Sequence, residues 1–186
     1  MEIYKEAINH LKKGDTLLYP SDTIWGLGCD ARNEKAVDKI LQIKRRPQNK
    51  AFIVLISKIE QLSEYVIEVP EIAWNLVEFA EKPLTVIYPK GKNVAPNVLG
   101  EDGSIAIRLV KDDFCKGLVY RMERAIVSTS ANFSGEASPT QFADIHPELL
   151  TQVDYILKNP KGENAQTSPS QIVKLGLYGE FTFIRK

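Results

Sequence analysis

Three stretches of the chain concentrate the side chains that can do chemistry. The first, Pro20-Ser21-Asp22-Thr23-Ile24-Trp25-Gly26-Leu27-Gly28-Cys29-Asp30-Ala31, sets two hydroxyls and a carboxylate directly after a short apolar run, then two glycines two apart. Ser, Asp and Gly are ordinary turn residues; equally, such glycines let a ligand approach the backbone. Both readings stay open for this stretch alone. The second, Lys44-Arg45-Arg46-Pro47-Gln48-Asn49-Lys50, places cations where a helix gives way to a strand. There they complement the helix dipole or hold an anion. The third runs from Ser128 to Thr140 and carries six hydroxyl side chains and Asn132 in thirteen residues, straight after the apolar Ala125-Ile126-Val127. Hydroxyls, an amide and backbone N–H groups suit phosphate, sugar and carboxylate oxygens.

Several chemistries are excluded by what is missing. Gly26-Leu27-Gly28 lacks the third glycine of a dinucleotide fingerprint, and no Gly-Lys-Ser/Thr phosphate loop is present. There is no Gly-x-Ser-x-Gly, and His10 and His146 stand apart from any nucleophile, which argues against a Ser/His mechanism. His10 reads as a surface residue of the first helix and His146 as a helix-start residue. Cys29 and Cys115 are too few for a disulfide framework or a four-cysteine metal site. Cys115 sits among apolar helix positions and reads as core, while Cys29 stays open.

The 186 residues carry 24 Lys+Arg and 24 Asp+Glu, so the net charge is zero. That disfavours coating nucleic acid by bulk electrostatics. The balance hides a segregation. Lys39 to Ile59 holds six cations and no acid, and Glu60 to Glu81 holds six glutamates and no cation. The acidic block interleaves with apolar residues as on a solvated helix face. The basic block is free to serve one local anion. No apolar run approaches the roughly 18 residues of a spanning helix, and the charged N-terminal residues show no signal core. A cytoplasmic location without membrane contact is the expectation.

The elements that must position these stretches follow from periodicity. Helices are expected over Glu2 to Lys13 with Gly14 as the stop, Glu34 to Lys44, Ile59 to Tyr65, Pro70 to Ala80 with Pro70 in the first turn, and Asp112 to Arg124. Strands are expected over Thr16 to Tyr19, Ala51 to Ile56, Leu84 to Tyr88, Ser104 to Leu109, Ala125 to Ser128, Asp154 to Leu157, Ser170 to Leu175 and Glu180 to Ile184. The last two form a hairpin through Gly176 and Gly179. Pro89 to Gly103 reads as a loop with one short helical turn. With no repeat and no linker, residues 1–186 read as one α/β domain with a mixed sheet.

Taken together, and in this order, the stretches resemble the YrdC/YciO family, the threonylcarbamoyl-adenylate synthases of tRNA modification, in their short single-domain form. The resemblance rests on Pro20-Ser21-Asp22-Thr23 with Gly26 to Ala31; Lys44-Arg45-Arg46-Pro47 with Lys50; Pro83-Leu84-Thr85-Val86; Ile105-Ala106-Ile107-Arg108; Ser128 to Gly135; and Pro169-Ser170-Gln171-Ile172-Val173. It implies an open twisted mixed parallel/antiparallel sheet with flanking helices and a concave basic face. It implies a nucleotidyltransferase that condenses L-threonine, bicarbonate or CO2, and ATP into threonylcarbamoyl-AMP and pyrophosphate. A downstream threonylcarbamoyl transferase complex then acts on tRNA. Thr23, Arg108, Ser130 and Ser170 are expected on threonine. Lys44, Arg46, Lys50, Thr85, Asn132 and Thr140 are expected on the nucleotide, with Lys44 and Arg46 carrying the catalytic charge. Mg²⁺ would arrive on the ATP phosphates, with no metal site from the protein alone and no organic cofactor.

The chain departs from the family pattern at a few positions. Lys82 stands where a glycine usually precedes the Pro-x-Thr segment, Lys174 where an acid is common, and Trp25 where Tyr is common. Leu55 holds a position where long members place a histidine. Other readings are a YciO-like paralogue, a carbamoyl-adenylate enzyme of the kind found in hydrogenase maturation, and a module binding tRNA or double-stranded RNA without catalysis.

Overall fold

The computed structural model describes residues 2–47, 51–158 and 168–186. Helix α1 (Glu2–Lys13) ends at Gly14, whose φ of +88° is open to glycine at little cost. Strands β1 (Leu17–Tyr19) and β2 (Gly26–Asp30) follow, then α2 (Glu34–Lys44), capped by Asn33, which accepts from the Ala36 N–H. β3 (Ile53–Ile56) leads through a 3₁₀ turn (Ile59–Gln61) to the short α3 (Leu62–Tyr65) and to α4 (Glu71–Glu78). Pro70 is the cap of α4 and lies outside its first turn. Next come β4 (Leu84–Tyr88), a loop with one 3₁₀ turn (Pro96–Val98), β5 (Ile105–Leu109) and α5 (Asp113–Met122). The remainder is β6 (Ile126–Ser130), a 3₁₀ turn (Phe142–Asp144), α6 (Pro147–Gln152), β7 (Tyr155–Ile156), β8 (Gln171–Leu175) and β9 (Phe181–Arg185).

The strands form one sheet in the order β7-β1-β2-β6-β3-β5-β4-β8-β9. β1–β7, β3–β5 and β4–β8 are parallel, and the other neighbours are antiparallel. Two of the differences from the expected boundaries bear on the site. Gly26–Asp30, read as part of a loop, is a fully buried strand, and β6 runs on through Thr129 and Ser130. Glycine is a poor strand former, so the sequence hides β2; tertiary packing requires it. A Cβ on Gly28 would lie 2.3 Å from the Val127 carbonyl oxygen, and one on Gly26 would lie 2.9 Å from the Tyr19 ring. Gly28 makes room for the neighbouring strand, and Gly26 makes room for Tyr19 while also lining the open face of the sheet.

The sheet is covered unequally. One face carries Leu18, Leu27, Val54, Ile56, Val86, Ile107, Val127 and Val173, packed beneath residues of α2, α3 and α4 such as Ile40, Leu62 and Val77. On the other face α1 and α5 bury Leu17, Tyr19, Leu55 and Ile126 against Leu11, Cys115, Leu118 and Met122. That cover stops over β3. Beyond it no described element covers the second face, and alternation along the strands aims Thr85, Ala106, Arg108, Ile172 and Lys174 into the gap. The acidic block forms the solvated side of the first layer, with Glu60, Glu68, Glu71, Glu78 and Glu81 exposed. Among the described residues, no helix is long and apolar enough to cross a membrane.

Candidate active site

The uncovered half of the sheet is the floor of a cavity of about 680 Å³, within the range of small-molecule sites. Its walls come from the whole chain. The turn before β2 supplies Ser21 and Thr23, and β4 and β5 supply Thr85 and Arg108. β6 supplies Ser128, Thr129 and Ser130, and the entry to β8 supplies Ser170. Small residues, Gly26, Ala51 and Ala106, keep the floor low.

Arg108 organises one end. Its side chain is 5% exposed. Nη1 donates to Thr23 Oγ1 at 3.1 Å and lies 3.1 Å from Asp22 Oδ1 as an ion pair. Thr23 is fixed in turn by the Ser21 hydroxyl at 2.9 Å, and the Ser21 Oγ also accepts from the Thr23 N–H. Arg108 Nε is buried and has no acceptor, so the guanidinium retains donor capacity. β5 sets Arg108 beside Thr85 in register, and Thr85 Oγ1 is 2.8 Å from Ser170 Oγ. Behind the floor Tyr19 donates to Ser128 Oγ at 2.7 Å, which fixes that hydroxyl from below.

Among the described residues, the cations of the cavity are only in part the run seen in the sequence. Among the described residues of the basic block, Arg46 alone lines the wall, its guanidinium 4.4 Å over the Phe52 ring. The others are Arg108, Lys174 and Arg185. Arg185, which the sequence reading missed, donates from Nε to the Ser170 carbonyl at 2.8 Å and from Nη2 to its hydroxyl at 3.3 Å. Burial, then the neighbouring charge of Arg108, lowers its pKa from the usual arginine value. Lys174 is 3.4 Å from Asp102, whose carboxyl is held down to about 2, chiefly by the Ser104 hydroxyl and N–H.

Six expected site residues, Thr23, Arg46, Thr85, Arg108, Ser130 and Ser170, meet in the cavity. Three others stand elsewhere. Lys44 is 3% exposed, and its ammonium donates to the carbonyls of Ser130 at 2.6 Å and Asn132 at 2.7 Å. The Ser134 N–H donates back to the Lys44 carbonyl at 2.9 Å. Lys44 therefore fastens the loop after β6 to the end of α2 instead of facing the cavity. Burial, then Arg46, lowers it to about 8. Asn132 turns its amide inward, donating to the carbonyls of Phe133 and Glu136, both at 2.9 Å. Thr140 is exposed and donates to Asp144 at 3.0 Å, closing the Phe142–Asp144 turn. Lys50 lies outside the described residues. Ser138, not singled out before, lines the wall.

Both thiols are buried. Cys115 packs in the α1–α5 core as expected, with its pKa raised by burial. Cys29 faces the other core layer, which closes the question the sequence left open. No cluster of three or more His, Cys, Asp or Glu able to hold a metal ion exists among the described residues.

Residues 9–186 match the family Sua5_yciO_yrdC, described as "Telomere recombination". A threonylcarbamoyl-AMP synthase of Pseudoalteromonas translucida is 32% identical over 165 residues, covering 87% of this chain and 88% of that protein. Two solved structures of Sua5 from P. abyssi superpose closely. An H234A/Y235A variant has a TM-score of 0.88 at 28% identity, covering 99% of this chain and 53% of its own. The complex with L-threonine has a TM-score of 0.84 at 30% identity, covering 94% of this chain and 51% of its own. The chain thus spans about half the length of the P. abyssi proteins.

Proposed function

From the premise that the chain belongs to the Sua5/YciO/YrdC family, we propose that it is an L-threonylcarbamoyladenylate synthase. It joins L-threonine, CO2 or bicarbonate, and ATP into threonylcarbamoyl-AMP and releases pyrophosphate. The product goes to a downstream transferase acting on tRNA in the cytoplasm. The observation that carries this reading is the cavity itself: a buried arginine with unused donor capacity between hydroxyls at one end, and further cations along the same floor.

The residues fit the chemistry. Threonine's carboxylate seats on Arg108, whose planar fork can make two parallel hydrogen bonds. Thr23 and Ser170, already tied to Arg108 and Arg185, flank the substrate. The amine adds to CO2 with loss of a proton, forming the N–C bond of an N-carboxylate. Its oxygen attacks the α-phosphorus, the bond to the β-phosphoryl oxygen breaks, and pyrophosphate leaves with the electron pair. The attacking group is already an anion, so the site needs no strong base. It needs positioning and charge neutralisation, which Arg46, Lys174 and Arg185 supply for the phosphates. Thr85 and Ser130 lie between the two substrates. Lys44, Asn132 and Thr140 shape the loop after β6. The oxygen-rich lining with Glu101 and Asp102 suits a hydrated Mg²⁺ held through the phosphates, and that ion would offset phosphate charge at the α-phosphorus.

Pyrophosphate release measured with threonine, bicarbonate or ATP omitted in turn tests the reading. All three are expected to be required, and Arg46→Ala is expected to lose at least about 100-fold in rate while remaining folded. Release without threonine, or serine serving equally well, would overturn the assignment.

A further inference from the structure

The two edges of the sheet are built differently. At one, β7 contributes two residues, and the His10 ring stacks on Tyr155 at 4.5 Å. At the other, β9 is five residues long, has no strand beyond it among the described residues and has every residue exposed. Phe181 is 57% exposed, Phe183 47% and Ile184 58%, and the turn leading in adds Leu177 at 44% and Tyr178 at 91%. Phe181 pairs with Leu175 and Phe183 with Val173. Both rings therefore extend the apolar face that Leu175 and Val173 bury. Their centroids are 6.0 Å apart, edge to face. A long apolar edge strand in a soluble protein is a template for another strand unless charge or proline interrupts it. Here the charges stand only at the ends, Glu180 before the strand and Arg185 and Lys186 after the apolar stretch.

We propose that this edge is a homodimer interface, in which β9 pairs antiparallel with β9 of a second copy across a two-fold axis at Thr182. A closed two-fold contact needs a patch complementary to itself, and this strand meets that requirement in two ways. The stretch paired one-to-one with β8 is Phe181–Phe183, because the register slips at Ile184 and Arg185 pairs with Ile172. Its centre is Thr182. An axis there sets Phe181 of each copy opposite Phe183 of the other, four rings on one face, a favoured cross-strand pairing. Antiparallel pairing also lays the start of each strand beside the end of the other, so Glu180 of one copy approaches the Arg185–Lys186 end of its neighbour. Taking about 200 Å² for each fully exposed aromatic, Phe181, Phe183 and Tyr178 offer on the order of 400 Å² per copy. With the strand edge itself this approaches the low end of specific interfaces, about 600 Å² per partner. That area fits a reversible dimer better than a permanent one.

The full chain carrying Thr182→Cys tests the axis. Directly opposed residues of an antiparallel pair have Cα atoms about 4.5–5.5 Å apart, within reach of a disulfide, and both native thiols are buried. Mild oxidation is expected to give a covalent dimer at least about tenfold faster than for the exposed control Ser63→Cys on α3. Sedimentation of the unmodified chain is expected to show a dimer fraction that rises with concentration, and a Phe181→Glu/Phe183→Glu variant is expected to be monomeric with an unchanged circular dichroism spectrum. The proposal is overturned if the unmodified chain stays monomeric at the highest reachable concentration, if Thr182→Cys cross-links no faster than the control, or if the double variant still dimerises.

Discussion

Replacing Arg108 by lysine separates charge from shape at the centre of the cavity. In the native protein one nitrogen, Nη1, is engaged by Thr23 and Asp22, both at 3.1 Å, and the rest of the fork is available to the substrate carboxylate. A lysine keeps the positive charge but concentrates it on one nitrogen. It can stay with Asp22 and Thr23 or follow the carboxylate, but it cannot present a planar fork to both. One charge-assisted hydrogen bond to threonine is lost, worth about 1.5–3 kcal/mol. At 1.4 kcal/mol per factor of ten, the KM for threonine should rise about 10- to 100-fold. The KM for ATP should change by less than about threefold, because Arg46, Lys174 and Arg185 remain. Initial rates of pyrophosphate release against each substrate give both numbers. A melting curve checks that Asp22, 14% exposed and now facing an ammonium, has not unfolded the protein. Unchanged threonine affinity in a folded variant would refute the role assigned to Arg108.

Two further predictions concern the scaffold. Lys44 has its pKa lowered from 10.5 to about 8, so between those values the folded state binds fewer protons than the unfolded chain, and stability should rise with pH across that window and fall again as pH drops through about 8. The full shift corresponds to about 3 kcal/mol; the carbonyls of Ser130 and Asn132 hold the proton against burial, so wild type should gain about 1–3 kcal/mol relative to Lys44→Gln between pH 7 and pH 10 in urea unfolding, and parallel pH profiles would exclude it. Gly28→Ala should lower stability by about 1–3 kcal/mol through overpacking, a fall of roughly 3–10 °C in melting temperature for a chain of this size, because its Cβ would meet the Val127 carbonyl at 2.3 Å; a variant as stable as wild type would show that β2 and β6 separate freely.

How far the sequence carries depends on whether a residue's position follows from its own segment. Thr23, Thr85, Arg108 and Ser170 sit in or beside short strands whose alternation decides which side they face, and all four line one cavity. Lys44, Arg45 and Arg46 look like one cluster because they are adjacent, yet successive residues at a helix end point about 100° apart. Lys44 turns beneath the loop after β6, Arg45 takes a left-handed φ of 52° and pairs with Glu148, and Arg46 reaches the cavity. Lys174 and Arg185 join the site only through the register of β4 with β8 and of β8 with β9, a non-local fact that no local pattern encodes. β2 escaped notice because its glycines answer to Tyr19 and Val127, residues distant in sequence or space until the sheet forms.

The pairing of Gly28 with Ser128 has a consequence for how the protein is made. β2 waits about a hundred residues for its second neighbour, and at roughly 5–20 residues per second of synthesis that is on the order of 5–20 s. The cavity itself reaches from Ser21 to Arg185, so it closes only when nearly the whole chain has emerged, and such long-range pairings make for slow folding. Through that interval one side of β2 is an open template. Its two glycines, weak in strand propensity and offering no side chain to a stray partner, make it a poor one. The same small residues that let the finished sheet close tightly also protect the nascent chain from pairing with the wrong strand.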